Sequence, residues 1–316
     1  SARRCKRKTI RLLDQTVPIG TDIVLEAENI PHLLVGVEIC EDLWLPIPPS
    51  SHAALNGATL LVNLSASNEL VTKDEYRRQL VTGQSARCLA AYMYTSCGTD
   101  ESSSDVVFGG HRLIAENGSL IVECSDLDDE PPPELLVTDV DLSRLLLERQ
   151  RTGSFGQNAD LELVSYRRVT FTLSSKLTLD DCTFLRTIDP QPFLPKDPKT
   201  RDARCKKVFS INAAGLRRRL THLLTATGSK KSFIGISGGL DSTLALLIAC
   251  RAYDQLGWSR KEITAITMPG FGTTGRTYHN AVALCNALGV TLKEISISAA
   301  TMQHLRDIGH KSATDT

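Results

Sequence analysis

Two short stretches of this chain hold side chains whose types and spacing can do chemistry. The first is Ser237-Gly238-Gly239-Leu240-Asp241-Ser242-Thr243, preceded by Phe233, Ile234, Gly235 and Ile236 and followed by Leu244 to Ala249. An apolar run, a glycine turn and a set of helix formers opened by Asp, Ser and Thr read as strand, turn and helix N-terminus. Glycines let the backbone come close to a ligand. The unpaired N–H groups of a helix start, at the positive end of its dipole, suit phosphate oxygens. The spacing is too short for the phosphate loop that ends in Gly-Lys-Ser/Thr, and no Lys precedes the Ser. The second stretch is Gly36-Val37-Glu38-Ile39-Cys40-Glu41-Asp42-Leu43-Trp44. A cysteine at the end of a buried strand, followed by acidic residues and a turn, fits a nucleophile elbow. Its thiolate attacks a carbonyl carbon when a base or a positive charge stands beside it. On its residues alone, a buried structural cysteine is the commoner reading.

The elements that must position these groups fall into two regions. In the first, Leu33–Ile39 and Thr59–Leu64 read as buried strands, with a short Ala-rich helix from about Ser51 to Asn56 between them. Lys73 to Tyr92 predicts a helix with Leu80, Val81, Ala86, Leu89 and Ala90 on one face, and Met93–Ser96 a strand. Arg112–Ala115 and Ser119–Val122 flank Asn117-Gly118 as a hairpin, Val137–Val140 reads as a strand and Leu142–Arg149 as a short helix. Pro190, Pro192, Pro195 and Pro198 then remove one N–H donor after another. A linker is expected over 173–205, between a domain at 1–172 and another at 206–316. The second region predicts a helix over Asn212–Thr225, a strand at 232–236 and the helix opened by Asp241. A strand at Ile263–Met268, a helix at Tyr278–Leu288 ended by Gly289 and a strand at Thr291–Ile297 follow. This alternation implies right-handed crossovers and a parallel sheet covered on both faces, with ligands beyond the carboxyl ends of its strands. The turn at 237 and the loop beginning Met268-Pro269-Gly270 would then border one pocket.

Composition bounds the rest. A length of 316 residues suggests two domains, and 36 basic residues balance 36 acidic ones, which points to neither nucleic acid nor membrane as partner. The basic opening (Arg3, Arg4, Lys6, Arg7, Lys8) reads as a local solvated segment, and the acidic stretch Asp126–Glu134 as a solvated loop. No apolar run has membrane-spanning length and no signal-peptide pattern opens the chain. Nine cysteines lie scattered with no C-x-x-C pair, so a reduced, cytoplasmic protein is expected. The absent initiator Met and the polar end at Thr316 suggest an internal stretch of a longer protein.

Ser237–Ser242 resembles the SGGxDS signature of the ATP pyrophosphatase group, which splits ATP between its α- and β-phosphates. Ile39–Trp44, Leu61–Ser65, Ser85-Ala86-Arg87 with Ala90 and Tyr92, Phe108–His111 and Asn117-Gly118 resemble the nitrilase superfamily, in which Cys, Glu and Lys cleave amides. With Met268–Thr274, Thr277 and Asn280-Ala281, the chain resembles the glutamine-dependent NAD synthetase family nearly end to end, least over 173–205. The fold this implies is α/β: a nitrilase-like αββα sandwich, then a doubly wound parallel-sheet (Rossmann-like) domain.

The resemblance implies that Cys40 attacks the side-chain amide of glutamine, forming a thioester as ammonia leaves, with the N–H after Cys40 as oxyanion donor. Glu41, Ser67 and Lys73 would bind glutamine. Lys73 stands where relatives carry a basic residue, often Arg, so the charge is kept without the bidentate fork. ATP would lie on Gly235, Ile236, Ser237, Gly238, Gly239, Leu240, Asp241 and Ser242, with Met268 against the adenine or merely packing a strand end. Asp241 would hold Mg²⁺, its alternative role being a helix cap. The carboxylate of deamido-NAD would attack the α-phosphate, and ammonia would then displace AMP to give NAD. The family also implies a homo-oligomer. Its Glu and Lys precede the nucleophile by more than 39 residues, so no residue of 1–39 takes either role, and Glu26 and Glu28 read as solvated loop. The deamido-NAD pocket and a second Mg²⁺ ligand would lie beyond Thr316. Two alternatives stay open: another glutamine-fed adenylating synthetase, or a nitrilase-like amidase with a vestigial synthetase half.

Overall fold

The computed structural model describes residues 7–128, 133–174, 183–273 and 275–311. The basic opening up to Lys6, residues 129–132 of the acidic stretch, residues 175–182 of the expected linker, Thr274 and the tail from Ser312 lie outside the described residues. The chain divides into two compact units, Ser1–Ile188 and Asp189–Thr316.

The first unit opens with an antiparallel ribbon of β1 (Thr9–Leu12) and β2 (Gln15–Pro18). Its main sheet contains β3 (Ile23–Ala27), β4 (Leu34–Ile39), β5 (Leu60–Ser65), β6 (Ala91–Ser96), β7 (Arg112–Glu116), β8 (Ser119–Cys124) and β9 (Arg167–Phe171). The strand order is β8-β7-β6-β5-β4-β3-β9, with β4, β5 and β6 mutually parallel at the centre. The crossover helices α1 (Pro49–Leu55) and α2 (Lys73–Cys88) join these three strands. Successive right-handed crossovers that advance in one direction put their helices on one face. Period-two alternation then sorts the side chains. Glu38, Leu61, Asn63, Tyr92, Tyr94 and Leu113 are buried, whereas Val37, Ile39 and Leu64 on the opposite face are about half exposed. Leu61, Leu113 and Val81 join Ala53 and Ala54 in the core, each large side chain contributing roughly 1.5–3 kcal/mol by burial. The described residues thus supply one mixed sheet and one helical layer of the expected sandwich. Two further helices, α3 (Leu142–Arg151) and α4 (Gly153–Asp160), follow.

Three local expectations need correction. The helix from Lys73 ends at Cys88, not Tyr92, because Leu89 takes a left-handed conformation (φ 45°) and releases the chain into β6. Val137–Val140 forms no strand and leads into Asp141, whose carboxylate accepts the Arg144 N–H at 2.9 Å and caps α3. Glu26, expected in a solvated loop, lies within β3 and pairs with Arg168 of β9, whereas Glu28 just beyond is exposed in a bend as expected and accepts the Thr172 hydroxyl.

The second unit begins with α5 (Pro198–Thr227), much longer than the helix expected from Asn212. Pro198 fits the first helical turn, where an N–H is not needed, and Asp197 accepts the Thr200 N–H at 2.7 Å. Residues 198–205 of the expected linker are therefore helix. Beyond it come β10 (Ser232–Gly235), α6 (Leu240–Leu256), β11 (Ile263–Thr267), α7 (Gly275–Leu288), β12 (Thr291–Glu294) and α8 (Ser298–Asp307). The sheet is parallel in the order β10-β11-β12. Ile234, Ala265 and Leu292 lie in register and share a core with Leu246, Tyr253, Ala281 and Cys285 of α6 and α7. Phe233, on the other face, is 69% exposed. The strand order advances one way, so both crossover helices cover the same face, and the expected cover on both faces is not found among the described residues.

Candidate functional site

In the first unit, β4 delivers Cys40 to the start of a 3-10 turn, Cys40–Trp44. Cys40 has φ +50°, the left-handed region, which costs a non-glycine residue roughly 1–2 kcal/mol. Asn63, at the register position beside Glu38 on the next strand, clasps this residue from both sides. Its Oδ1 accepts the Cys40 N–H at 3.0 Å and its Nδ2 donates to the Cys40 carbonyl at 3.3 Å. Two hydrogen bonds of about 0.5–1.5 kcal/mol each are of the size needed to hold that conformation. The Cys40 N–H is thereby used up, and the N–H of Glu41 is the next along the turn. Asp42 steadies the strand end by accepting the Ile39 N–H at 3.1 Å.

Cys40 lies on an open cleft of about 840 Å³ whose wall also includes Glu41, Asp42, Leu45, Ile39 and Thr21. Glu41 is exposed there. The first turn of α2 meets the Cys40 turn through Trp44, whose ring lies 5.2 Å from Tyr76 and 5.7 Å from the Lys73 ammonium. Lys73 donates to the backbone carbonyl (2.9 Å) and side-chain oxygen (2.8 Å) of Asn68. Burial, then the nearby Arg77 charge, holds its pKa below the usual lysine value, with Glu69 acting in the other direction. Ser67 is buried, its N–H given to the Ser96 hydroxyl at 3.2 Å. Lys73 thus meets the Cys40–Trp44 turn through the Trp44 ring, and Ser67 lies in the segment that leads from β5 to α2.

Several polar residues of the first unit escape a reading of the sequence. Arg77 is fully buried and donates to Glu69 (2.9 Å) and to His111 Nδ1 (2.6 Å), with its guanidinium 5.8 Å from the Tyr94 ring centre. Since Arg only donates, His111 Nδ1 accepts and the ring proton sits on Nε2, which donates to Glu123 at 2.7 Å. Burial pushes the His111 pKa down, in keeping with a neutral ring. Glu38 is also buried, its pKa raised by burial and opposed by hydrogen bonds from Tyr92 and Ser50. One sequence signal marks such positions: a polar residue where a strand's alternation demands an apolar one, as Glu38 in LVGVEI and Asn63 in LLVNLS.

In the second unit, the turn after β10 places its glycines as the sequence suggests. Gly238 has φ +82°, and a Cβ there would stand 2.0 Å from the Thr277 carbonyl oxygen, so only glycine fits. The hydroxyls of Ser237 and Ser242 lie 3.1 Å apart; Ser237 accepts the Gly239 N–H and Ser242 the Ser237 N–H, each at 3.3 Å. Gly239 is the N-cap of α6 and no side chain caps that end, which leaves the first N–H groups of the helix open to an anion. Asp241 is exposed and does not act as the cap. Leu240 is exposed as well, whereas Ile236 is buried and its N–H bonds the Ile266 carbonyl at 2.8 Å, tying the turn to β11. Met268, half exposed at the end of β11, brings its methyl within 3.7 Å of the point where a Cβ on Gly235 would lie. The ends of β10 and β11 therefore do border one place.

Both halves match known families. Residues 9–148 match the carbon-nitrogen hydrolase family and residues 213–315 the NAD synthase family. The molecule is thus a carbon-nitrogen hydrolase module followed by an NAD synthase module. Over 308 residues, 96% of its length, it is 41% identical to the glutamine-dependent NAD(+) synthetase of Mycobacterium tuberculosis. The Mycobacterium leprae protein of that name is 41% identical over 306 residues and the Aquifex aeolicus one 29% over 271, covering 96% and 83% of this chain. In that combination of modules and in identity, the chain is similar to the glutamine-dependent NAD(+) synthetases along nearly all of its own length. It spans 44% of the length of the two mycobacterial relatives and 41% of the Aquifex one. Among the described residues no helix is long and apolar enough to cross a membrane.

Proposed function

We propose that this chain carries parts of both active sites of a glutamine-dependent NAD synthetase, an amide-cleaving centre at Cys40 and an ATP-cleaving centre at the 237–242 turn. The observation that carries the reading is a left-handed cysteine elbow and an uncapped glycine turn in one chain. At the first centre Cys40 attacks the side-chain amide carbon of glutamine. The Cys40–carbon bond forms, ammonia leaves with the amide nitrogen, and water then releases glutamate from the thioester. The Glu41 N–H is offered to the developing oxyanion, Cys40's own N–H being engaged by Asn63. In this reading Lys73 meets the substrate carboxylate as a single charge and Ser67 its amino-acid end, with Glu41 on the wall of the Cys40 cleft.

At the second centre the turn Ser237-Gly238-Gly239 and the open N–H groups of Leu240, Asp241 and Ser242 take the ATP phosphates, Gly235 and Ile236 set the approach, and Met268 covers the base. The carboxylate of deamido-NAD attacks the α-phosphorus and pyrophosphate leaves. Ammonia then attacks the activated carboxyl, AMP departs and the amide of NAD remains. Asp241 would be the protein's ligand for Mg²⁺, which when bound offsets phosphate charge. Among the described residues no cluster of three or more metal-binding side chains exists, and an ion held by one carboxylate with phosphate oxygens and water needs none. The reading carries with it a cytoplasmic homo-oligomer.

The test supplies the intact protein with ATP, deamido-NAD and either glutamine or ammonium. Cys40→Ala is expected to abolish NAD formation from glutamine and spare it with ammonium, while Asp241→Ala impairs both. Equal loss from both nitrogen sources in Cys40→Ala would sink the two-centre assignment.

A further inference from the structure

We infer that Asn63, Tyr92 and Glu38 form a positioning device for the Cys40 elbow, in which Glu38 acts through Tyr92 to decide which way round the Asn63 amide stands. This rests on the reading of Cys40 as nucleophile, and it concerns residues that touch no substrate. The two ends of the chain of contacts are both backbone N–H groups, which can only donate. At one end the Cys40 N–H lies 3.0 Å from the Asn63 side chain, so the atom facing it is Oδ1. The other amide atom, Nδ2, therefore faces Tyr92, 3.2 Å away, and donates to its oxygen. The Tyr92 proton must then go onward, and the atom in contact with it is Glu38 Oε1. At the far end Glu38 Oε2 accepts the Ser50 N–H at 2.8 Å. Both carboxylate oxygens accept, and every donor from Ser50 to Cys40 is satisfied in one direction only.

An amide reversed at Asn63 would set NH₂ against the Cys40 N–H and oxygen against the Cys40 carbonyl, two repulsions at a residue held in a left-handed conformation. From the other end Glu38 imposes the same direction, since a single Tyr92 proton cannot serve both neighbours. Changing Glu38 to Gln reverses the logic. Gln presents its oxygen to the Ser50 N–H and its NH₂ to Tyr92, and the Tyr92 proton can then find an acceptor only in a flipped Asn63. Glu38, Asn63 and Tyr92 all lie on the buried face of adjacent strands and are 0–2% exposed.

The experiment measures Tyr92→Phe, Glu38→Gln and the double variant in the intact protein. Glutamine-fed and ammonium-fed NAD formation are followed alongside the rate at which iodoacetamide alkylates Cys40. Each single variant is expected to lower the glutamine-fed kcat about tenfold, the rate equivalent of roughly one hydrogen bond, with KM for glutamine within about twofold. Alkylation slows in parallel and ammonium-fed turnover is unchanged. The double variant is no worse than the poorer single one, because the two residues act in series. Additive losses, unaltered glutamine turnover, a fall in ammonium-fed turnover to match, or failure of both single variants to fold would each overturn the device. Leu113→Ala, a core change on the same sheet, separates positioning from loss of stability: a comparable fall in kcat at equal melting temperature assigns the network to packing and overturns the proposal. Failure of the glutaminase reading shows differently, as glutamine-fed turnover that survives Cys40→Ala.

Discussion

A single methyl group decides whether the phosphate turn can exist. At position 238 the left-handed φ and the Thr277 carbonyl oxygen, 2.0 Å from a would-be Cβ, act together. Neither strain has a flexible side chain to absorb it, since the obstruction is backbone. Gly238→Ala is therefore expected to weaken ATP binding at least about tenfold and to cost roughly 1–3 kcal/mol of stability, checked by nucleotide titration and thermal melting. Wild-type affinity in that variant would show that α7 yields. The sequence made this glycine legible because its motif is local, and it made Cys40 legible because an elbow at a strand end is local too. Asn63, Glu38, Tyr92 and Arg77 were not read as site residues, since their importance comes from neighbours on other strands and helices. Their trace was a polar letter in an apolar rhythm.

At the scale of elements, the central strands and the 112–124 hairpin could be read because apolar runs and Asn-Gly turns are decided within a few residues. The outer strands β3 and β9 could not. Arg167–Phe171 pairs with Ile23–Ala27 across most of the first unit, and its arginines are engaged by Asp22 and Glu26. Such a strand is defined by its partner, not by its own alternation. The end of α2 was misread for a related reason: Leu89 is a strong helix former that the chain nevertheless bends into the left-handed region to start β6. The same helix carries Gly83, where an added Cβ meets nothing within 4 Å. Gly83→Ala should raise stability by about 1 kcal/mol, seen as a higher melting temperature with glutamine-fed activity unchanged. A lower melting temperature would mean that α2 needs the glycine for a reason outside its own geometry.

Over the whole molecule, the charged groups set how stability responds to pH. Asp22, Glu123, Glu162 and Asp254 have pKa values lowered in the fold, with Arg167, Arg78, His52 and Arg260 respectively among the groups that lower them. Their contribution is present above the unfolded carboxylate range near 4 and is lost as pH falls through the lower folded values. His111 acts earlier. Its folded pKa lies below the unfolded value of about 6.5, so the unfolded chain takes up a proton first and stability declines as pH drops from there toward the folded value. Glu38 runs the other way, its raised pKa removing stability as pH climbs from about 4.3 through the folded value. Melting temperature is thus expected to fall in two stages on acidification, the first below about pH 6.5. His111→Gln should remove the first stage and leave the second, and an unchanged profile would exclude His111 as its source. The nucleotide turn and the helix opening of the next crossover are moulded to each other across a long separation in sequence, so they can be inherited or transplanted only as a pair. An insertion between Met268 and Thr277 that displaced the Thr277 carbonyl would unmake the motif while leaving every letter of it intact.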